Sequence, residues 1–163
     1  MVPTIRLFTS DCEFILISIP IGIIIAFIPL LIRFFAISSL KKVLDNKAPR
    51  LFLASLESEA LMDNKQAKFA LRCHACHLNM IEDCIIWWPA AIGSLLFSYT
   101  NKMSLALTAI HMILRFLYVF VYCFNGNKGL SYLRSFIWFC GWVCPMIMLF
   151  EQAHNVGPNR WDV

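Results

Sequence analysis

Three groups of polar residues recur at helical spacing inside otherwise apolar sequence. In the stretch 67–99, Arg72, Asn79 and Glu82 stand at i, i+7 and i+10, which at about 100° per residue confines them to roughly 80° of one helix face. Asn79 and Glu82 are direct neighbours at i+3. In the stretch 105–124, His111, Arg115, Tyr118 and Tyr122 follow at spacings of four, three and four. Arg134 and Ser135 lie one turn before Trp138 in a further apolar stretch, 130–151. Guanidinium groups recognise carboxylates, Asn79 and the tyrosines offer partners for amides, and Glu82 suits an ammonium, so a pocket built from these stripes fits an anionic, amphiphilic ligand. Each stripe also has a purely structural reading: Arg115 and Glu82 as a buried ion pair that holds helix register, the tyrosines as belt residues at a membrane edge. The concurrence of three stripes at one depth favours the binding site.

Cys73-His74-Ala75-Cys76-His77 spells C-x-x-C-H, a haem-attachment pattern that also raises metal binding and thiol redox chemistry. Covalent haem is attached on the non-cytoplasmic side, whereas this segment falls on the cytoplasmic side by the charge count below. On one continuous helix, ligands at i+1 point apart, so no metal site is expected from these residues alone. Arg72 partly supplies the electropositive surroundings that a reactive thiol needs, yet cysteines buried in apolar surroundings are inert.

The elements that must position these groups are set by composition. Apolar residues make up 60% of the 163 positions, charged residues 15%, and the mean hydropathy is +0.68. A single soluble core of this length has too little interior for the 14 Phe and 5 Trp in addition to the Ile and Leu, so lipid is the natural solvent for this surface. The net charge of +4 reads as membrane topology, and no nucleic-acid partner is expected. The seven cysteines are odd in number and mostly lie in or beside apolar segments, which implies no disulfide framework.

A bilayer core about 30 Å thick needs about 20 helical residues. Four segments meet that length: 14–37, 67–99, 105–124 and 130–151. The expected fold class is an all-α integral membrane protein, a four-transmembrane-helix bundle forming one membrane domain over 1–163. The first segment carries Pro20 and Pro29 and reads as a retained anchor, too long for a signal-peptide core. Residues 38–66 form the expected main loop, with a turn at Asp45-Asn46-Lys47-Ala48-Pro49. A short turn at Tyr99-Thr100-Asn101-Lys102 makes the second and third helices antiparallel neighbours. Asn125-Gly126-Asn127-Lys128-Gly129 closes the third helix, and the tail with Gly157 and Pro158 is expected to fray. Lys41, Lys42, Lys47, Arg50, Lys65, Lys68, Lys128 and Arg134 lie at the first-second and third-fourth connections, against Arg6, Lys102 and Arg160 opposite. This bias puts both connections in the cytoplasm and both termini on the far side.

With those segments in place, the chain resembles the MAPEG superfamily, the membrane-associated proteins of eicosanoid and glutathione metabolism. Arg72-Cys73-His74-Ala75-Cys76-His77-Leu78-Asn79-Met80-Ile81-Glu82, followed by Pro89, is similar to the family's R-x-x-x-A-H-x-N-x-x-E pattern with a nearby proline. Leu114-Arg115-Phe116-Leu117-Tyr118 with Tyr122 looks like its third-helix R-x-x-[YH]-x-x-x-Y, and Leu133-Arg134-Ser135 like the Arg-Ser near the start of its fourth helix. The resemblance implies a homotrimer of four-helix subunits with glutathione, as co-substrate, bound between neighbouring subunits near the cytoplasmic side. It also implies that Arg134 holds the glutathione thiol as thiolate with Ser135 as helper, and that Asn79, Glu82, Tyr118 and Tyr122 contact or support the peptide. A guanidinium lowers the pKa of a nearby thiol, so this role agrees with the chemistry read from the residues. Where the well-studied glutathione enzymes carry a further arginine this chain has Ala75, Leu78 replaces another basic contact, and Trp138 replaces a tyrosine. In these features it looks closer to the largely bacterial branch of the superfamily.

The resulting expectation is a multi-pass protein of a bacterial inner membrane or the endoplasmic reticulum, in contact with membrane lipid, that joins glutathione to, or uses it to reduce, a lipophilic small molecule at the bilayer edge. Arg134 and Ser135 are the expected catalytic residues, with Arg72, Asn79, Glu82, Arg115, Tyr118 and Tyr122 as binding residues. The alternative is a non-catalytic lipid-binding or scaffold protein of the same fold. A small transporter is disfavoured by the lack of a broken-helix pair or inverted repeat.

Overall fold

A computed structural model describes residues 10–40, 47–96, 102–124 and 128–155. The described residues form five helices and no strand: α1 (Ser10–Ser39), α2 (Pro49–Leu61), α3 (Lys65–Leu96), α4 (Lys102–Cys123) and α5 (Lys128–Asn155). The turns expected at 99–102 and 125–129 and the tail beyond residue 155 fall wholly or largely outside the described residues.

Helix α1 runs unbroken through Pro20 and Pro29, and α3 and α5 likewise run through Pro89 and Pro145. Hydroxyls inside these helices return to their own backbone. Ser18 donates to the Ile15 carbonyl at 2.6 Å, Ser94 to Ala90 at 3.0 Å and, in α4, Thr108 to Ser104 at 2.8 Å, so these hydroxyls add no unsatisfied donor to an apolar setting.

The stretch 38–66, expected as a loop, contains the 13-residue helix α2. Its polarity disguised an amphipathic pattern: Pro49 stands in the first turn, where its missing N–H costs nothing, and Phe52 and Leu56, four residues apart, form the buried stripe. Asp63 then takes a left-handed backbone with φ 65°, a conformation Asp tolerates better than bulkier residues. Asn64 follows as the cap of α3, its side-chain oxygen accepting from the backbone N–H of Gln66 at 3.0 Å and of Ala67 at 3.2 Å. Together the two residues reverse the chain between α2 and α3.

Helix α3 is the central element, packed against all four others. Three apolar tiers succeed one another along it. Ala67 and Ala70 meet Phe52 and Leu56 of α2 and Ile37 of α1. Cys73, Cys76, Met80 and Cys84 meet Ile25 and Ala26 of α1 and Tyr118 and Val119 of α4. Trp87, Ala90 and Ala91 meet Ile15 of α1 and Met148 of α5. Since α1 numbering falls as α3 numbering rises through the tiers, the two are antiparallel. Small residues dominate the α3 surface at these contacts, which allows close backbone approach where apolar burial drives nothing in lipid.

The outer face is apolar as well. Phe35 is 71% exposed, Phe136 65% and Phe150 69%, a surface stable only against lipid. Helical segments Cys12–Ser39, Lys102–Cys123 and Gly129–His154 are long and apolar enough to cross a bilayer. Helix α3 has the length, at 32 residues, but is less apolar, with Lys65, Lys68 and Arg72 in its first turns and Glu82 and Asp83 at its middle, and is not in that set. The chain is thus an all-α membrane protein with, among the described residues, three such helices and a more polar one beside them.

Candidate functional site

A cavity of about 490 Å³ opens between α3, α4 and α5. Its polar lining is Asn79 and Glu82 from α3, Tyr118 and Tyr122 from α4, and Arg134 and Ser135 from α5, with Trp138 and Phe139 as apolar wall. Six of the eight residues expected at the site therefore meet in one place. They do so because α4 runs antiparallel to α3, so rising numbers on one helix match falling numbers on the other, and because α5 brings its first turns back to the same end.

The groups are ordered by one another. Asn79 Nδ2 donates to the Tyr118 hydroxyl at 3.0 Å. Tyr118 is buried and meets Tyr122 edge-on at 5.4 Å between centroids. The Arg134 guanidinium lies over the Tyr122 ring, 4.7 Å from its centroid, an arrangement that aligns the cation without neutralising it. Ser135 donates its hydroxyl proton to the Ser131 carbonyl at 3.2 Å, which leaves oxygen lone pairs as acceptors. Among the described residues, neither Arg134 nor Glu82 forms an ion pair. The cavity thus holds a guanidinium and a carboxylate that are not paired with each other, with amide and phenol groups, a set that suits a zwitterionic peptide.

Two expected binding residues lie elsewhere. Arg72 donates from Nε to the Cys123 carbonyl at 3.3 Å, and its guanidinium sits 5.8 Å from the Phe69 ring centroid. It thereby ties the start of α3 to the last turn of α4, where a cation suits the helix dipole. Arg115 is 1% exposed and paired with Asp83, Nη2 to Oδ1 at 2.5 Å. Its partner is therefore Asp83, not Glu82: α3 turns Asp83 inward against α4 and leaves Glu82 exposed. His111 faces the other carboxylate oxygen of Asp83 at 3.2 Å, donates from Nδ1 to the Gly141 carbonyl at 2.8 Å and stacks on Trp87 at 4.2 Å. Gly141 makes room here, because a Cβ at that position would stand 2.9 Å from the Arg115 guanidinium carbon and displace it. Asp83 carries the cluster, and the signal for it was an acidic residue beside the apolar run Cys84-Ile85-Ile86.

The C-x-x-C-H residues disperse. Cys73 and Cys76 are fully buried in the central tier. His77 donates from Nδ1 to the Ala26 carbonyl at 2.8 Å, and His74 Nδ1 accepts from Arg33 at 3.2 Å. Among the described residues no three His, Cys, Asp or Glu side chains converge as metal ligands.

Residues 16–153 match the family model described as MAPEG family. No curated protein and no solved structure matches the chain significantly. The match spans α1 to α5 and includes every residue of the cavity, so the chain belongs to the MAPEG family and is a membrane protein of the superfamily associated with eicosanoid and glutathione metabolism.

Proposed function

We propose that the cavity binds glutathione or a closely related anionic thiol and presents its sulfur to a lipophilic electrophile at the bilayer edge, as a transferase or peroxidase. The carrying observation is Arg134: a guanidinium stacked on Tyr122, without a carboxylate partner among the described residues, beside amide- and ammonium-binding groups. Glutathione supplies a nucleophilic thiolate, which either forms a carbon–sulfur bond by adding to an activated carbon–carbon double bond, whose displaced π electron pair takes up a proton from water, or, with a second thiol, reduces a peroxide to an alcohol and water while the two thiols become a disulfide. Arg134 stabilises the negative sulfur and so favours loss of the thiol proton to water. Asn79, Tyr118 and Tyr122 hold the peptide backbone, Glu82 holds its ammonium, and Ser135 offers an acceptor beside Arg134.

In this reading α3 is the fourth crossing. Its 32 residues extend about 48 Å, and its inward polar groups, Asn79 and Asp83, meet partners on α4 rather than lipid. Both termini face away from the cytoplasm, as the Lys and Arg bias requires. The flank of α5 beside the cavity exposes Phe136, Trp138 and Phe139, which suits closure by a neighbouring copy in a homotrimer.

A second reading is a non-catalytic lipid-binding or scaffold protein. It draws support from Ala75 and the exposed Leu78, which leave Arg134 as the single cation among the residues lining the cavity. Calorimetry with glutathione on detergent-purified protein separates the two. Saturable binding that Arg134→Ala and Asn79→Ala both weaken supports the thiol site. Absence of binding to folded protein that retains a fatty acid supports the scaffold.

A further inference from the structure

Arg33 lies inside the apolar run of α1, six residues or about 9 Å before its end. The residues that follow it, Phe34 and Phe35, are 52% and 71% exposed. An arginine at that depth needs a counter-charge, yet among the described residues none of the ion pairs includes it. Among the described residues its one side-chain hydrogen bond goes from Nη1 to His74 Nδ1 at 3.2 Å. A ring nitrogen that accepts from a guanidinium carries no proton, so His74 does not neutralise Arg33 and keeps its own N–H on Nε2. Arg33 Nε is buried and has no hydrogen-bond partner among the described residues.

These two side chains open on a second cavity, of about 230 Å³, lined also by Pro49, Arg50 and Leu53 of α2. Among the described residues no carboxylate lines it; Glu57, further along α2, is exposed and acts on His74 only through its charge. Arg50 supplies a second guanidinium, and the first turn of α2 has no side-chain cap and no acidic residue, so its backbone N–H groups add to the positive field. Helix α2 itself is amphipathic and exposes Leu51 and Leu61, with Met62 exposed just after it, as a helix seated in the headgroup layer would.

We propose that this cavity at the junction of α1, α2 and α3 binds a phosphate group, with Arg33 and Arg50 as its cations and His74 Nε2–H as a neutral donor. Its position at the end of a lipid-facing helix favours the headgroup of an anionic lipid as the source. The site is separate from the Arg134 cavity and stands whether or not that cavity binds a thiol.

The test is native mass spectrometry of the full-length protein released from detergent containing phosphatidic acid or phosphatidylcholine. Phosphatidic acid is expected to remain bound in preference to phosphatidylcholine. Arg33→Gln and Arg50→Gln should each weaken that binding about fivefold, while Arg134→Gln leaves it intact. Arg50 is exposed on α2, so its variant tests the site even where Arg33→Gln disturbs folding. Competition by millimolar inorganic phosphate would support the phosphate site with a soluble source, and lack of competition would support the lipid source. Equal retention of both lipids, or unchanged phosphatidic acid binding by Arg50→Gln, would overturn the proposal.

Discussion

Arg115 and Arg134 lie on adjacent, antiparallel helices near the same cavity, and the protein treats them in opposite ways. Arg115 is closed inside the α3, α4 and α5 contact, its charge met by Asp83 and its position held by Gly141 on one side and the Trp87–His111 stack nearby. Arg134 is half-buried, rests on an aromatic face and keeps its charge available. A buried pair in low dielectric resists separation strongly, whereas a guanidinium over a ring is oriented at little cost and still attracts an anion. The difference teaches that a motif arginine in this bundle is available to a ligand only where no carboxylate and no backbone carbonyl claims it, as Asp83 claims Arg115 and the Cys123 carbonyl claims Arg72.

The contrast breaks if the two arginines fail to separate stability from ligand chemistry. The largest effect is expected at the buried pair. Removing Arg115 or Asp83 singly leaves an uncompensated charge, so Arg115→Ala should lower stability by about 3–5 kcal/mol, read as thermal unfolding in detergent. An unchanged melting temperature would show that the pair is not closed to solvent. Arg134→Ala should leave that melting temperature close to the parent while lowering thiol-dependent turnover on the order of 100-fold. Loss of fold without loss of ligand chemistry would reverse the assignment.

Gly141→Ala sharpens the comparison from the backbone side. Its methyl group must displace the Arg115 guanidinium, and a loss of about 1–3 kcal/mol is expected. The same substitution should be milder in an Arg115→Ala background, as shared partners make the two changes non-additive. Asn79→Ala removes the hydrogen bond to Tyr118, and glutathione affinity should fall by about 1 kcal/mol.

The smallest effect lies outside both regions, at the α2–α3 turn. Hydrogen bonding from the Lys68 ammonium, together with its charge, holds the exposed Asp63 carboxyl below its usual range. A lowered folded-state value means that the contribution is present above the ordinary carboxylate pKa and fades as pH falls through the folded value. Asp63→Asn should therefore flatten a slight acid-side decline in melting temperature and leave neutral pH nearly unchanged. A steeper decline in the variant would contradict the pairing.

Much of the site was legible because helical periodicity is a local property. Asn79 with Glu82 and Tyr118 with Tyr122 each share a helix face by spacing alone, Arg134 and Ser135 are neighbours in sequence, and the cavity gathers all six. Helix α2 was hidden because two buried residues, Phe52 and Leu56, in a polar stretch leave only a faint stripe. Gln152 was equally silent: its amide donates to the Ala90 carbonyl at 2.7 Å and to Ser94 at 2.8 Å, where the lack of a side chain at Gly93 makes room.

The sequence by itself determined a membrane-embedded helical protein and which side chains could share a face, since composition and the 3.6-residue turn depend on nothing distant. Only the tertiary structure decided which carboxylate Arg115 meets. Glu82 and Asp83 differ by about 100° around α3, and the choice between them follows from how α3 is rotated against α4. That rotation is set jointly by the three apolar tiers and by the glycine that lets Arg115 lie against α5. With Asp83 turned inward and bound to Arg115, Arg134 is left with its charge free.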